Sequence, residues 1–445
     1  MPKDRKLRGF DRMKIAVLGG GSSYIPELVD QSIKMMNSGQ LRVEQIALMD
    51  SDKGRVGLVG KLCERMIKHA KAPIELSITT DSKEAIEGSD FVISQIRVGT
   101  LDDRVYDEKF PLKYGLIGQE STGAGGFSQA LRSVPVLVDY AKQIEKWAPT
   151  AYFLNNTNPQ RVTHEAINRY SKARLVGICE HWRWTEEAIC SILNVDPSRI
   201  RLEVIGLQHL NWATKVYLDG KDVLPRIIDQ FGKARYPEWR AARGWRGLAF
   251  DPELIKSLRM IPNGYLRYFY YHDQVLNDMQ QAERTRGEYL KDHYERFFKI
   301  CNDTGVKEKP DIIVKERAAH RWGRSMMPFI KAVTNDENSW LIINVKNNGA
   351  VMGMDPEAIM EIPTIVNKTG AHPIAMGEIP LPIRGLIHAK HAYSVLAARA
   401  AIEGSYDLAL IALMTNPLVS TYNKAKEVLD DILKKYKKYL PNFYR

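Results

Sequence analysis

Apolar and polar positions alternate along the N-terminal part of the chain in a strand-turn-helix pattern. Residues 13–36, MKIAVLGGGSSYIPELVDQSIKMM, begin with an apolar strand, break at three glycines and resume with apolar residues at helical spacing. Pro26 stands near the predicted helix start, where its fixed φ is tolerated. A second apolar run, QIALMD, follows and ends at Asp50. The pattern predicts the first βα units of an α/β fold.

Three further apolar runs of strand length predict that a parallel sheet continues. DFVISQIR, AYFLNNT and RLVGICE are separated by helical stretches such as FSQALRSVPVLVDYAKQIEKW. All three end in polar or charged residues, among them Arg97, Asn158, Cys179 and Glu180. Because ligands collect at the carboxyl ends of strands in doubly wound sheets, these side chains are expected to face one crevice.

The chain changes character near residue 200. A further strand-like segment, EVIGLQHLNWATKVYLDG, precedes a helix-rich remainder, with no internal repeat or obvious linker. The prediction is therefore an α/β protein with an N-terminal Rossmann-like doubly wound sheet, residues 1–200. A closely packed α+β C-terminal domain, residues 201–445, is expected to serve substrate, metal and oligomerisation.

Composition narrows the class of protein. The 445 residues are 44% hydrophobic, enough for one or two substantial cores. The net charge is +11, but the chain has no stripe of basic residues interleaved with aromatic residues, which argues against nucleic-acid binding. The positive charge could still attract small anionic substrates. No apolar run has the length of a membrane span, and MPKDRKLRGFDR lacks the apolar core of a signal peptide, so a cytoplasmic protein is expected. The four cysteines are scattered and do not predict a disulfide framework.

The glycine turn is a candidate dinucleotide site. Glycines let the backbone approach a pyrophosphate at a helix N-terminus, and an acid at the end of the next strand can bind an adenosine ribose. Asp50 occupies that position and favours NAD over NADP, whereas the third glycine of the G-x-G-x-x-G pattern is replaced by Tyr24. An ordinary βα turn is the alternative interpretation. The predicted cofactor-binding residues are Gly19, Gly20, Gly21, Ser22, Ser23 and Asp50.

Seven motifs occur in an order that resembles glycoside hydrolase family 4, the NAD- and metal-dependent glycosidases. They are GGGSSYIPELV, YGLIGQESTGAGGFSQALR, NNTNP, GIC, GLQHLNW, PNGYLRY and VKNNGAV. The resemblance covers nearly the whole chain and is nearest to the 6-phospho-β-glucosidases. It implies NAD and a divalent metal, usually Mn²⁺, as cofactors, and a small, anionic sugar substrate. A homodimer or homotetramer is expected.

The resemblance also implies roles for individual residues. Cys179 in GIC and His209 in GLQHLNW match the metal ligands, Tyr265 in PNGYLRY matches the catalytic base, and Asn158 in NNTNP matches a substrate-binding asparagine. The implied reaction oxidises the sugar at C3 with NAD, removes the C2 proton with metal assistance, eliminates the aglycone, adds water and returns the hydride. Taken from the residues alone, the thiol, the imidazole and the tyrosine would be core residues, and the asparagine a turn residue.

The stretch GICEHWRW departs from the Asn-Val-Pro-Ile that follows GIC in the resembled enzymes. Glu180 is a candidate acid for the leaving group, and Arg183 a candidate for a substrate carboxylate, phosphate or sulfonate. Trp182 and Trp184 are predicted either to stack on sugar or to fill core space.

Arginines elsewhere are further candidates for binding the substrate anion. These are Arg97 and, in ERTRGE, Arg284 or Arg286, with surface ion pairs as the alternative. The exact sugar, its anomer, its phosphorylation and the leaving-group acid stay open, as do two other functions: an NAD-dependent hydroxy-acid dehydrogenase and a non-catalytic dinucleotide sensor.

Overall fold

The computed structural model describes residues 13–230 and 250–444. Strands and helices alternate through the first half of the chain, as the hydrophobic pattern predicts. The strands are β1 (Met13–Leu18), β2 (Val43–Met49), β3 (Glu75–Thr79), β4 (Phe91–Ser94), β5 (Tyr152–Asn155), β6 (Arg174–Gly177), β7 (Ile200–Leu207), β8 (Leu210–Leu218), β9 (Lys221–Asp222), β10 (Ile261–Pro262), β11 (Ser339–Lys346), β12 (Val351–Met352), β13 (Ile359–Asn367), β14 (Gly370–Pro373) and β15 (Gly377–Glu378).

The helices lie between these strands and at the C-terminus. They are α1 (Ile25–Asn37), α2 (Lys53–His69), α3 (Ser82–Ile86), α4 (Leu101–Lys109), α5 (Gly123–Trp147), α6 (Gln160–Tyr170), α7 (Trp182–Leu193), α8 (Leu224–Gln230), α9 (Pro252–Leu258), α10 (Arg267–Tyr270), α11 (His272–Gln281), α12 (Arg286–Asn302), α13 (Asp311–Arg317), α14 (Ala319–Asn335), α15 (Leu381–Glu403), α16 (Tyr406–Thr415) and α17 (Tyr422–Tyr436). None of the helices in the described ranges is long and apolar enough to cross a bilayer.

The central sheet confirms the predicted Rossmann-like, doubly wound fold. Its strands run β3-β2-β1-β4-β5-β6, and every neighbouring pair in this set is parallel. That order is the doubly wound arrangement of dinucleotide-binding folds, whose ligands bind outside the carboxyl ends of the strands. The predicted strands QIALMD, DFVISQIR, AYFLNNT and RLVGICE are β2, β4, β5 and β6.

The same sheet continues into the second half of the chain. Strand β11 joins β6 antiparallel, with Asn344 paired to Gly177, and β13 and β14 extend the sheet beyond it. Strands from both sides of residue 200 therefore share one sheet. The division into two domains at that residue stays a prediction. The strand-like segment after residue 200 is a hairpin of β7 and β8, not one strand.

Burial on both faces explains the nearly continuous apolar sequence of the parallel strands. In β1, Ile15 and Val17 belong to one hydrophobic cluster, while Ala16 and Leu18 belong to a second cluster on the opposite face. Successive side chains of a strand point to opposite faces, and here helices cover both. The polar residues that follow the parallel strands thus lie at one edge of a sheet whose two faces are both buried.

Candidate active site

A cavity of about 1230 Å³ lies outside the carboxyl ends of the parallel strands. The glycine turn after β1 and the acid after β2 line one part of it, and the residues that follow β5 and β6 line another. Residues from α12 and from the segment around Tyr265 close the cavity from the C-terminal half. The polar tails of separate strands therefore face one crevice, as the sequence predicts.

The glycine turn is packed too tightly for any side chain. Gly19 has a φ of +101°, and a Cβ there would stand 2.3 Å from the carbonyl oxygen of Gln95. A Cβ on Gly21 would stand 2.9 Å from the Asp50 carboxylate, which accepts hydrogen bonds from the N–H of Gly21 at 3.0 Å and of Asp52 at 3.1 Å. Asp50 is therefore fixed at the cavity wall by the turn itself.

Tyr24, which replaces the third glycine of the motif, is the N-cap residue of α1 and points toward the C-terminal half. Its hydroxyl donates to the Arg317 carbonyl at 3.3 Å, and the Arg317 guanidinium lies 4.6 Å from its ring centroid. The Tyr24 ring also contacts the Trp322 ring, with centroids 5.7 Å apart. The departure from the glycine pattern thus joins the turn to α13 and α14.

Cys179 and His209 meet at the centre of the cavity, although 30 residues separate them. The Cys179 Sγ lies 3.5 Å from His209 Nε2, and Gln208 Nε2 donates to the same sulfur at 3.7 Å. Gln208 Nε2 also donates to Asn158 Oδ1 at 3.3 Å. Cys179 follows β6, whereas Gln208 and His209 form the two-residue turn between β7 and β8.

The hairpin turn holds His209 in an unusual backbone conformation. His209 has a φ of +61°, in the left-handed region that non-glycine residues seldom adopt, and Gly206 before it has a φ of +145°. A Cβ on Gly206 would stand 2.2 Å from the Leu210 carbonyl oxygen. Strained backbone of this kind persists where surrounding structure enforces it, and here it aims the imidazole at the Cys179 thiol.

Tyr265 stacks on the histidine of this pair. The two ring centroids are 3.8 Å apart and the planes are inclined by 10°. His181 approaches the Tyr265 ring edge-on at 4.5 Å, and the Ser121 hydroxyl hydrogen-bonds to the Tyr265 phenol. Tyr265 lies in a short 3₁₀ helix (Gly264–Leu266), and the side chain of its N-cap residue, Asn263, accepts a hydrogen bond from the Tyr265 N–H at 3.0 Å.

Burial governs the protonation of all three groups. Burial, with the Glu361 and Glu180 carboxylates nearby, holds the pKa of the Cys179 thiol well above its usual range. Burial, with His181 and Arg161, holds the pKa of His209 well below its usual range, so the imidazole is neutral. Burial and Tyr268 raise the pKa of Tyr265, although Ser121 opposes them. A phenolate or thiolate here therefore requires an added positive charge.

The donor set at this point suits a divalent metal. His209 Nε2 faces the Cys179 Sγ at 3.5 Å, and a cation bound there would displace the thiol proton. The other ring nitrogen, Nδ1, is buried and has no hydrogen-bond partner among the described residues. Residues 13–230 and 250–444 contain no group of three or more His, Cys, Asp or Glu side chains arranged to hold a metal. A site built on Cys179 and His209 would consequently leave coordination positions for other ligands.

Arg97 belongs to a partly buried cluster of charged residues on the cavity wall. Its guanidinium donates to Glu120, and Arg104 pairs with the same carboxylate at 2.9 Å. Arg104 also pairs with Glu108 at 2.9 Å, and Arg97 with the Gln129 side chain at 3.4 Å. Burial opposes ionisation of Glu120, but Arg104 and Arg97 outweigh it and lower its pKa to about 2.

This cluster predicts a specific loss of stability in acid. The pKa of Glu120 is lower in the folded chain than in the unfolded chain. The ionised Glu120 carboxylate therefore contributes to the free energy of unfolding above its ordinary pKa of 4.5, and this contribution is lost as the pH falls toward about 2. We expect the wild type to lose up to about 1.4 kcal/mol of unfolding free energy per pH unit in this window from Glu120 alone. Glu120→Gln should be less stable at pH 7 and show a shallower decline below pH 4.5.

Urea unfolding at pH values from 7 to 3.5 measures this difference. Glu64→Gln, an exposed carboxyl on α2, is the matched control and should retain the wild-type slope. Equal slopes for Glu120→Gln and the wild type would contradict the role of the buried ion pairs.

Four other predicted site residues line the cavity but differ in their exposure and in their partners. Asn158 and Glu180 line the cavity, and burial raises the pKa of the Glu180 carboxyl. Arg284 also lines the cavity, but at an exposed position where it pairs with Asp292 at 2.6 Å. Arg286 lines the cavity and donates to the Glu316 carbonyl at 2.9 Å.

Arg183, predicted as a substrate-binding residue, lies at the contact between two helices. It is not among the cavity-lining residues described; its guanidinium donates to Ser325 Oγ at 3.0 Å and to the Arg324 carbonyl at 2.6 Å. These bonds hold α7 against α14. Of the two tryptophans beside it, Trp182 is in the core and Trp184 lines the cavity.

The structure adds residues that the sequence reasoning did not single out. Glu120 and Ser121 lie within the motif YGLIGQESTGAGGFSQALR, and Gln208 precedes His209 in GLQHLNW. Their position inside these motifs could have indicated a place in the site. Arg267, which lies within the motif PNGYLRY, and Arg317, which no local pattern identified, also line the cavity.

Comparison with known proteins agrees with this geometry. Residues 14–195 match the family model described as family 4 glycosyl hydrolase, and residues 204–419 match the model of the family 4 glycosyl hydrolase C-terminal domain. A Bacillus subtilis (strain 168) protein named "Probable 6-phospho-beta-glucosidase" is 35% identical, covering 97% of this chain and 98% of its own. The phospho-alpha-glucosidase PagL of Clostridium acetobutylicum is 30% identical, over 96% and 98% of the two chains.

A solved structure extends the likeness to three dimensions. The 6-phospho-beta glucosidase of Thermotoga maritima, solved with manganese, NAD⁺ and glucose-6-phosphate, superposes with a TM-score of 0.85. It is 29% identical, and the match covers 96% of this chain and 99% of that one.

Proposed function

Because this chain belongs to family 4 of the glycosyl hydrolases, we propose that it hydrolyses 6-phosphoglycosides with NAD and a divalent metal such as Mn²⁺. By its family the chain is a glycoside hydrolase. One observation carries it: Cys179, His209 and the stacked Tyr265 meet in the cavity that the glycine turn also lines.

The phosphorylated substrate is supported by relatives and by charge. The named relatives act on phosphorylated glucosides, of both α and β type. In this chain Arg97 reaches the cavity wall, where it shares Glu120 with Arg104, and a guanidinium carries five N–H donors in a fork that matches phosphate. Arg284 is proposed at the exposed rim. The α and β relatives leave the anomer open.

The cofactor site is proposed at the glycine turn. Gly19 to Ser23 would hold the pyrophosphate at the start of α1, and Asp50 would bind the adenosine ribose through its carboxylate. The lack of room for a Cβ at Gly19 and Gly21, and the fixed carboxylate beside them, fit that group. Cys179 and His209 are proposed to hold the metal, with the thiol giving up its proton on binding.

When bound, NAD supplies reversible hydride transfer with a sugar carbon, and the metal supplies Lewis-acid polarisation of sugar oxygens. The chain's own residues do the rest. Asn158 can bind adjacent sugar hydroxyls through its amide donor and acceptor. Tyr265, which stacks on His209, is the proposed base for the C2 proton once a cation favours its phenolate. Glu180, whose carboxyl burial keeps protonated to higher pH, is the proposed acid for the leaving group.

A panel of aryl glycosides tests the proposal. Each sugar is supplied as α and β anomer, with and without a 6-phosphate, and assayed with NAD, Mn²⁺ and a thiol reductant. Turnover should be confined to phosphorylated substrates and should require both cofactors, with no net NADH. Equal hydrolysis of unphosphorylated glycosides, or hydrolysis without NAD, would contradict it. Net NADH production from a 2-hydroxy acid would instead indicate a dehydrogenase.

A homo-oligomer is also proposed. Helix α16 is mostly apolar, and its residues Ile411 and Met414 are 49% and 38% exposed. Exposed apolar surface of this kind is typical of a protein interface.

A further inference from the structure

A buried carboxylate that does not line the cavity lies at the junction of two hydrogen-bond chains that lead to the proposed catalytic residues. Glu361 on β13 is 1% exposed and pairs across the sheet with Asn344 on β11. Its Oε1 accepts from Asn344 Nδ2 at 3.1 Å, and its Oε2 accepts from Asn211 Nδ2. Neither asparagine is charged, and the Arg161 guanidinium is the cation whose charge opposes the rise in the pKa of the Glu361 carboxyl.

The first chain leads to the hairpin turn and to Tyr265. Asn211 stands two residues after His209, and its Oδ1 accepts from Asn263 Nδ2 at 3.3 Å. Asn263 Oδ1 in turn accepts from the Tyr265 N–H at 3.0 Å. Every link runs in the same direction, each amide accepting on one side and donating on the other, until Glu361 receives the last donor.

The second chain leads to the strand end that carries Cys179. Asn344 Nδ2 donates to Gln160 Oε1 at 3.0 Å as well as to Glu361. Gln160 Nε2 donates to the carbonyl of Ile178 at 3.0 Å, the residue before Cys179. The side chains in both hydrogen-bond chains are buried, so bulk water cannot readily replace a hydrogen bond that is lost.

We propose that Glu361 is a positioning residue that sets the Cys179 corner, the His209 turn and the Tyr265 turn relative to one another. The requirement is a side chain that accepts at two oxygens. Burial raises the pKa of Glu361 to about 8, although Asn344 and Asn211 oppose the rise, and both oxygens can accept in either protonation state. The inference rests on the proposed roles of those three residues.

Glutamine at this position provides a nearly isosteric test. An amide accepts at one oxygen only, so Glu361→Gln must present N–H groups to Asn211 or to Asn344. When the introduced amide faces Asn211, the Asn211 and Asn263 amides must turn, and the Tyr265 N–H then loses its acceptor. When it faces Asn344, the Asn344 and Gln160 amides must turn, and the Ile178 carbonyl then loses this donor. Groups that orient metal ligands typically contribute about 10–100-fold to metal affinity or activity. We expect losses of that size in Mn²⁺ affinity and in kcat, with NAD affinity and substrate KM little changed.

A second substitution should restore the direction of the first chain. When Glu361→Gln is combined with Asn211→Asp, the new carboxylate accepts from the introduced glutamine amide on one side and from Asn263 on the other. Mn²⁺ affinity and kcat should recover in large part. Glu165→Gln is the matched control: Glu165 is also 1% exposed but accepts from the Ile359 N–H, outside both chains. It should keep wild-type Mn²⁺ affinity.

Mn²⁺ binding is measured by the electron paramagnetic resonance of the free ion, NAD binding by fluorescence, and kcat and KM by steady-state kinetics. Unchanged Mn²⁺ affinity in Glu361→Gln, or a double variant no better than the single one, would overturn the positioning role. Should Glu361→Gln fail to fold, Asn263→Asp keeps the acceptor for Tyr265 but removes the donor to Asn211, and an unchanged kcat there would overturn it. A wild type that neither binds Mn²⁺ nor turns over would instead overturn the proposed function.

Discussion

Tyr265→Phe should lower kcat by about 10²–10⁴-fold, the usual contribution of a positioned general base. The phenylalanine ring can keep the 3.8 Å stacking on His209, because only the hydroxyl is removed. The loss should therefore fall on kcat and kcat/KM together, with substrate and NAD binding retained, as for a group that acts in the transition state.

Isotope exchange makes this prediction specific to proton transfer. In heavy water the wild type should place solvent deuterium at C2 of the released sugar, and Tyr265→Phe should slow that exchange in proportion to kcat. Tyr270→Phe is the matched control, since its hydroxyl accepts from Trp212 Nε1 at 3.1 Å and lies on the same short segment. Rapid hydrolysis by Tyr265→Phe without exchange at C2 would point to a conventional carboxylate pair that includes Glu180.

Cys179→Ser and His209→Ala should each weaken Mn²⁺ binding by more than about 100-fold, because even residues that only orient a metal ligand cost about 10–100-fold. Activity at saturating NAD should fall with metal occupancy. The serine hydroxyl has the shape of the thiol but ionises far less readily, so it cannot replace a thiolate.

Two measurements separate metal loss from misfolding. NAD affinity should remain close to wild type in both variants, because the glycine turn follows β1, whereas Cys179 follows β6 and His209 lies in the β7–β8 turn. Cys190→Ser, on α7 and also buried, is the matched control for cysteine replacement and should keep full metal affinity. Wild-type Mn²⁺ affinity in both Cys179→Ser and His209→Ala would refute the assigned ligands.

Much of the parallel sheet could be predicted from sequence because its signals are local. The apolar runs of β1, β2, β4, β5 and β6 and the three glycines reflect burial and backbone conformation within a few residues. The polar tail of each strand could then be assigned to one edge, since parallel strands end on the same side. Cys179, His209 and Tyr265 were singled out only through the family resemblance, as each has an ordinary core interpretation on its own.

What the sequence by itself determined is thus the order of the βα units, the glycine turn with Asp50, and the set of motifs that identifies the family. Only the tertiary structure showed that Arg183 hydrogen-bonds between two helices outside the cavity lining, and that Glu120 forms ion pairs with two arginines. It also showed that Glu361, on a distant strand, is linked to Tyr265 by hydrogen bonds. The physical reason is that these contacts depend on how elements far apart in the chain pack together, as in the antiparallel addition of β11 and β13 to β6 and the register of their pairing. Hydrophobic periodicity fixes which face of a strand is buried, but not which strand lies beside it.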